Sequence, residues 1–373
     1  MPEVRPVVPV NLLAGVLCGD ETALRTLDAL PIEELEAAAR YHAVTGLLSE
    51  RLSAAGGTPS HVIQRLRDLA FREAVVDLIR ERQLRVLIEA LDVTGVRALL
   101  IKGAHLAYSH YHDPALRPRL DTDLLIRPAD RDVVDRILRS QGYEPQLHVS
   151  GALVSSQRMY VKSFYGSPVH IVDLHWKIAN QIAFADMLTF DDVAARATAL
   201  PRLSRRARGL SDVDALLLAC VHRVAHHHDS DCLIWLYDIH LLAGGMAPAG
   251  WQAFVSLARD RKMTAICRHS LQRAAALFRT EIPEQVRVAF ANTDAQHEPS
   301  ASYLRANRRP AADIITDLGS LRSWRARWQL VREHLFPSVD YMRGVYAPAS
   351  GAPLPVLYAH RALHGARKWL APR

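Results

Sequence analysis

The chain has 373 residues, of which 49% are apolar and 23% charged, with a formal net charge of +7. That length allows two or three domains with substantial cores, and no stretch approaches the roughly 18 consecutive apolar residues of a membrane span, so no membrane-spanning helix is expected. The basic balance, with a pI near 9.4, suits an anionic ligand and gives weaker support to nucleic acid; a basic surface without a dedicated partner fits equally well.

The apolar stretch 7–19 does not read as a signal peptide. Only Arg5 supplies positive charge before it, Pro9 and Asn11 interrupt it, and it ends without a small-x-small cleavage site. The four cysteines, Cys18, Cys220, Cys232 and Cys267, include no C-x-x-C pair, a pattern that fits free thiols in a reducing cytoplasm. Residues 10–92 read as helices: Ala70, Ala74, Leu78, Leu84, Leu87, Ile88 and Leu91 recur at helical spacing among Arg and Glu. Gly56-Gly-Thr-Pro59 marks a break between helical segments.

From residue 95 the pattern changes. Gly95-Val-Arg-Ala-Leu-Leu-Ile101 reads as a buried strand running into Lys102-Gly103, followed by a short helix over 104–110 and a loop closed by Arg117-Pro-Arg119. The next strand carries Asp121 and Asp123. Alternate residues of a strand point to one face, so these carboxylates stand side by side. Ionised neighbours repel unless a cation lies between them, and oxygen ligands suit Mg²⁺ or Mn²⁺. Taken alone, D-x-D also fits a solvated strand end. Pro128 opens a helix with an apolar stripe of Val133, Val134, Ile137 and Leu138, and Gly142 ends it. Strands over 159–164 and 169–176 follow, joined by a Gly166-Ser-Pro168 turn. Val169, Ile171, Asp173 and His175 share one face, and an antiparallel neighbour strand would bring Asp173 beside the first two acids. His175 faces the acid side, where it could orient a carboxylate, touch a phosphate or simply pack. Trp176 reads as core on the opposite face.

The words Leu99-Leu-Ile-Lys-Gly-Ala104, Arg117-Pro-Arg-Leu-Asp-Thr-Asp-Leu-Leu-Ile126 and Val172-Asp-Leu-His-Trp176 closely resemble a family of bacterial stand-alone, largely uncharacterised nucleotidyltransferases. His222-Arg-Val-Ala-His-His-His-Asp229, Trp235-Leu-Tyr-Asp238 and Leu335-Phe-Pro-Ser338 resemble it too. The resemblance implies an α+β fold with a polymerase-β-like nucleotidyltransferase core, a mixed sheet with helices, over 93–200. Helical regions at 1–92 and 201–373 would flank it. It also implies transfer of a nucleoside monophosphate from a nucleoside triphosphate to an acceptor hydroxyl by two-metal catalysis with Mg²⁺ or Mn²⁺, releasing pyrophosphate. Asp121, Asp123 and Asp173 are the expected catalytic metal ligands. Lys102, Gly103, Arg117, Arg119 and His175 are expected on the nucleotide side, although the Arg pair could instead anchor its loop on a local carboxylate such as Asp113. The first turn departs from the wider superfamily: it is Lys102-Gly103-Ala104, without the usual Gly-Ser or Gly-Gly. The acceptor, whether small molecule, peptide or RNA, is not specified. Two other readings of D-x-D are a metal-dependent glycosyltransferase and a non-catalytic nucleotide-binding regulator.

Beyond the core, 201–209 reads as a junction, and its basic run 202–208 as a solvated turn before an RNA-contact patch. Residues 212–243 read as helix with a Ser211-Asp212 cap, 250–282 as further helix, and 296–309 as a mobile polar loop. His222 and His226 stand four apart on a helical face, beside His227, His228 and Asp229. Metal binding, packing and substrate contact are all open to them. No complete zinc signature is present, and adjacent helical residues diverge by about 100°. No structural zinc is therefore expected, and one histidine should face a cleft between the core and the C-terminal helices while the others cap or pack.

Overall fold

The computed structural model describes residues 7–27, 30–55, 60–149, 151–305, 310–346 and 351–370. The break expected at Gly56-Gly-Thr-Pro59 lies outside the described residues. The fold is α+β, with helices before and after one mixed sheet of seven strands. These are β1 (Leu99–Leu100), β2 (Thr122–Leu125), β3 (Glu144–Pro145), β4 (Gln157–Phe164), β5 (Ser167–His175), β6 (Thr198–Ala199) and β7 (Arg208–Gly209), in the order β3-β4-β5-β2-β1-β7-β6.

β4 and β5 form the expected hairpin, whose tip residues Tyr165 and Gly166 have φ of +49° and +77°. A tight hairpin turn uses this left-handed backbone, which glycine adopts without a Cβ clash. β5 pairs with β2 in parallel, with Asp123 opposite Asp173. The antiparallel pairing expected from the sequence is thus corrected. Between β2 and β5 the chain runs through the helix Arg131–Ser140 and two further strands, and such a crossover returns it to the sheet in the same direction. Either pairing places the two acids on one face, which is why that expectation survives the reversal of direction.

Alternation gives the sheet two unlike faces. Leu100, Leu124, Ile126, Val172 and Leu174 pack with Leu84, Leu87, Leu91, Val134 and Leu138 in one core. Leu99, Ile101 and Leu125 belong to a second core, continuous through Leu13, Leu48, Leu216, Leu236 and Phe254 with the helices at both ends of the chain. Asp123, Asp173 and His175 lie on this second face, in step with Leu125, so the acids look toward the helices that follow the sheet. The helix Ser60–Val93 has 34 residues, about 50 Å at 1.5 Å per residue. It enters the second core with Val62 and Leu66 and the first with Leu84 to Leu91.

After the sheet, Ser211 caps the helix Asp212–Val221 by accepting from the Asp214 amide. The single helix expected over 212–243 is interrupted: a π-helical turn, His222–His226, follows, and a new helix, Leu233–Gly244, begins after a bend. The helix expected over 250–282 is two, Pro248–Asp260 and Thr264–Phe278, with Lys262 at φ +57° between them. The loop expected at 296–309 is ordered in its first part as a 3₁₀ turn, Pro299–Leu304, whose Ser300 and Tyr303 are buried; residues 306–309 lie outside the described ones. The arginines of the basic run are exposed, most of them on turns, as expected, with Arg202 donating to the Tyr111 and His112 carbonyls and Arg206 paired with Asp92. Trp176 is half-buried beneath the Arg131 guanidinium, 5.0 Å away, rather than in the core. All four cysteines are free thiols. Among the described residues no helix is long and apolar enough to cross a membrane.

Candidate active site

The parallel register of β2 and β5 sets Asp123 beside Asp173, and His175 two residues on shares their face. Asp123 is buried, and its Oδ1 accepts from Lys102 Nζ at 2.7 Å and lies 2.8 Å from His175 Nε2. Burial alone would raise this carboxyl, but Lys102 and His175 outweigh it and hold Asp123 well below the usual carboxylate range. Asp173 is treated differently by its surroundings. Gln157 Nε2 donates to its Oδ2 at 3.2 Å, while its Oδ1 is buried with no hydrogen-bond partner among the described residues. Burial, and then repulsion from Asp123 and Asp121, pushes the Asp173 carboxyl up to about 6. Asp121 lies just before β2 and lines the same cleft; burial and Asp123 raise its carboxyl too.

These donors suit a hard divalent cation. Asp123, Asp173 and His175 each offer one possible ligand atom within 4.8 Å of the others', and Asp173 Oδ1, without a hydrogen-bond partner among the described residues, has a lone pair to give to a cation. His175 is 1% exposed and holds Asp123 with Nε2. Of the three uses open to it in the sequence, orienting a carboxylate is the one the geometry displays.

The Lys-Gly turn opens the helix Lys102–Ser109, with Lys102 in left-handed backbone at φ +53°. A non-glycine residue there is strained by about 1 kcal/mol or more, and the Lys102–Asp123 ion pair compensates. Gly103 is required by a close approach: a Cβ on it would stand 3.1 Å from three atoms of the Arg117 guanidinium. Arg117 in turn is gripped by Asp238, with Nε 2.8 Å from Oδ1 and Nη2 2.8 Å from Oδ2, and Tyr111 Oη donates to the same carboxylate at 2.8 Å. Burial would lower the guanidinium's affinity for its proton, but Asp238 more than restores it. The sequence offered Asp113 as the local anchor of the Arg pair; that is corrected, because Asp113 instead caps the 3₁₀ turn Pro114–Leu116. Arg119 reaches Tyr108 Oη at 2.8 Å and lies 3.8 Å from Asp77, both inside the fold.

A second wall comes from the π-helical turn. The His227 amide bonds back to the His222 carbonyl at 3.2 Å, closing a five-residue step. This wider turn gathers side chains that an α-helix would splay, so the divergence expected for His226 and His227 is corrected. Ring centroids are 5.1 Å apart for His222 and His226, 4.5 Å for His222 and His227, and 4.8 Å for His226 and His227. His227 also stacks on Trp235 at 3.6 Å. Burial, reinforced by Lys102 and by neighbouring histidines, pushes the His226 imidazole down to about 4 and that of His227 to about 3. Behind the turn the fully buried Arg223 pairs with Asp229 at 2.5 Å and donates to the Ser230 carbonyl.

The cleft between these walls encloses about 1340 Å³, and the middle of the helix Ser60–Val93 supplies a third wall through Arg72, Val76, Asp77 and Arg80. It brings together Asp121, Asp123, Asp173, Lys102, Gly103, Arg117 and Arg119, while His175 stays beneath the carboxylates. Sequence reasoning missed Asp238 as the partner of Arg117, Gln157 as the partner of Asp173, and the arginines of the long helix. A Trp-Leu-Tyr-Asp word was visible at 235–238, but nothing in it named its distant partner.

No curated protein matches the chain. Residues 28–279 match the family described as an uncharacterised nucleotidyltransferase, and since that span covers more than half of the sequence, the chain belongs to this nucleotidyltransferase family.

Proposed function

We propose that the protein transfers a nucleoside monophosphate from a nucleoside triphosphate to an acceptor hydroxyl, with release of pyrophosphate, at the face of Asp121, Asp123 and Asp173. The observation that carries this reading is the unequal pair on adjacent strands: Asp123 is kept ionised by Lys102 and His175, whereas Asp173 is buried, repelled and one oxygen short of a partner. A group that keeps one carboxylate charged and its neighbour proton-avid has both a cation ligand and a base. When bound between the three carboxylates, Mg²⁺ or Mn²⁺ would neutralise charge on the transferring phosphoryl group and make the acceptor hydroxyl more acidic.

The chain's own residues do the rest. The acceptor oxygen forms its bond to the α-phosphorus as the bond from that phosphorus to the β-phosphate oxygen breaks. The hydroxyl proton passes to Asp173, and pyrophosphate carries away the leaving charge. Lys102, beside Asp123, lies where it can offset that charge. Gly103 keeps the turn bare of a side chain, and Arg117, fixed by Asp238, adds its positive charge to the wall of the same cleft. His175 holds the Asp123 carboxylate in one orientation.

The test is direct. Each nucleoside triphosphate, with Mg²⁺ or Mn²⁺ and a cell extract as acceptor source, is assayed for pyrophosphate release and for label transferred from an α-³²P nucleotide. Transfer that disappears in Asp123→Asn supports the reading. Label that never leaves the nucleotide under any of these conditions, or transfer unaffected by Asp123→Asn, defeats it.

A further inference from the structure

The imidazoles of His222, His226 and His227 converge on one another, unlike the other histidines without a ring hydrogen bond, such as the buried His105. His42, His110, His170, His175, His240 and His269 each have a ring nitrogen hydrogen-bonded to a neighbour. Among the described residues, nothing hydrogen-bonds a ring nitrogen of His222, His226 or His227. Yet each of the three presents a nitrogen within 4.8 Å of the others', and all three line the cleft. Packing on Trp235 accounts for the ring faces of His227 and His222, but not for three ring nitrogens brought within reach of one another without a donor or acceptor between them.

The backbone that gathers them is unusual in the same place. A π-helical turn is rare and recurs at functional sites. Here it converts residues five apart, His222 and His227, into neighbours through the His227 amide bond to the His222 carbonyl. His228 and Asp229 follow in left-handed backbone at φ +54° and +58°, and Arg223 anchors Asp229 from within. Trp235 fixes the plane of the His227 ring. The imidazoles are therefore held from behind while their nitrogens stay free.

We propose that His222, His226 and His227 form a binding site for a borderline divalent transition-metal ion of the Zn²⁺ class, distinct in chemistry from the carboxylate site on β2 and β5. Nitrogen ligands favour Zn²⁺ or Co²⁺ over Mg²⁺, whereas carboxylate oxygens favour Mg²⁺. Three protein ligands leave one tetrahedral position open, as in sites that bind a water or an anionic oxygen rather than closed structural sites. All three histidines line the cleft, from which a fourth ligand would come. The inference goes beyond the proposed transfer reaction and does not depend on it.

The experiment uses the full chain, stripped with a chelator and titrated with Co²⁺ in the absence of nucleotide. Nitrogen-ligated, low-coordinate Co²⁺ absorbs visible light strongly, while carboxylate- and water-ligated Co²⁺ does not. One equivalent of strongly absorbing Co²⁺, displaced by Zn²⁺, is expected. His226→Ala and His226→Ala/His227→Ala should weaken binding by roughly tenfold or more, and Asp121→Asn/Asp123→Asn should leave the absorption in place. His226 is exposed, so the single variant decides the matter if thermal melting shows the double variant to be unfolded. Absence of the absorption in the wild-type chain, its persistence at unchanged affinity in His226→Ala, or its loss in the carboxylate variant would each overturn the proposal. Because the readout needs neither nucleotide nor turnover, its failure and that of the transferase reading are separable.

Discussion

Asp123 and His226 line one cleft and are held in opposite ways. Asp123 is buried on a central strand, with its carboxylate gripped by Lys102 and His175. His226 is exposed on a turn between two helices, its ring stacked at 5.1 Å on another histidine and bonded to nothing among the described residues. The first arrangement fixes a charge in place, as a group must be fixed if it is to act on a transition state without reorganising. The second fixes only the backbone and leaves the side-chain nitrogens available. One ion pair ties the two walls together: Arg117, from the loop ahead of β2, and Asp238, from the helix Leu233–Gly244 that follows the histidine turn.

The comparison breaks most visibly at the carboxylates. Asp123→Asn should lower the rate of nucleotidyl transfer by about a thousandfold or more, because it removes one charge from the shared ligand set and uncouples both Lys102 and His175. Asp173→Asn should lower turnover far more than nucleotide affinity, as its proposed role lies with the acceptor proton. Calorimetric nucleotide binding measured beside single-turnover rates separates the two; equal losses in both would make Asp173 a nucleotide ligand instead.

The tie between the walls comes next. Asp238→Ala leaves the Arg117 guanidinium and the Tyr111 hydroxyl buried without their partner, which should cost about 3–5 kcal/mol. Chemical denaturation would measure it. A loss under 1 kcal/mol would mean that the shared apolar core and the remaining polar contacts, such as Gln181 Nε2 to the Ala225 carbonyl, hold the two walls together without this pair.

A smaller effect, of opposite sign, is expected from Asp173. In metal-stripped protein its folded-state value is about 6, against 3.8 ordinarily. Protonation therefore favours the folded state: the contribution is fully present below pH 3.8 and is lost as pH rises through 6. At pH 8 Asp173→Asn should stabilise the stripped protein by up to about 3 kcal/mol, and the gain should vanish near pH 4. Saturating Mg²⁺ should reverse the sign. Denaturation curves at the two pH values, with and without Mg²⁺, test this, and a variant less stable than wild type at pH 8 without metal would contradict it.

What the sequence made legible follows the same division. The acid strand, the Lys-Gly turn and the third acid are local patterns of alternation and turn chemistry, and the α+β class came with the family resemblance that those words carry. Strand direction was not legible, because alternation puts Asp173 beside Asp123 in either direction; only the intervening crossover decides it. Asp238 lies 121 residues beyond Arg117, and no local periodicity connects them. The histidine turn was misjudged because helical spacing assumes 100° per residue, and one π-helical step is enough to change which side chains meet. The middle of the helix Ser60–Val93 carries Arg72 and Arg80 into the cleft, yet on sequence alone they look like any charged face of an amphipathic helix.

The finest test lies where the two walls touch. Gly103 has no side chain, and a Cβ there would press on a guanidinium at 3.1 Å. A flexible arginine tip would swing aside at little cost, but Asp238 holds this one by two nitrogens and Pro118 O accepts from a third. Gly103→Ala should therefore cost about 1–2 kcal/mol in the wild-type background. In the Asp238→Ala background Arg117 is free to move, and the same substitution should cost less, by about 1 kcal/mol of coupling. A double-mutant cycle by denaturation measures that coupling. Additive losses would show that the glycine answers only to its own backbone, and that the grip of Asp238 does not reach the turn beside Asp123.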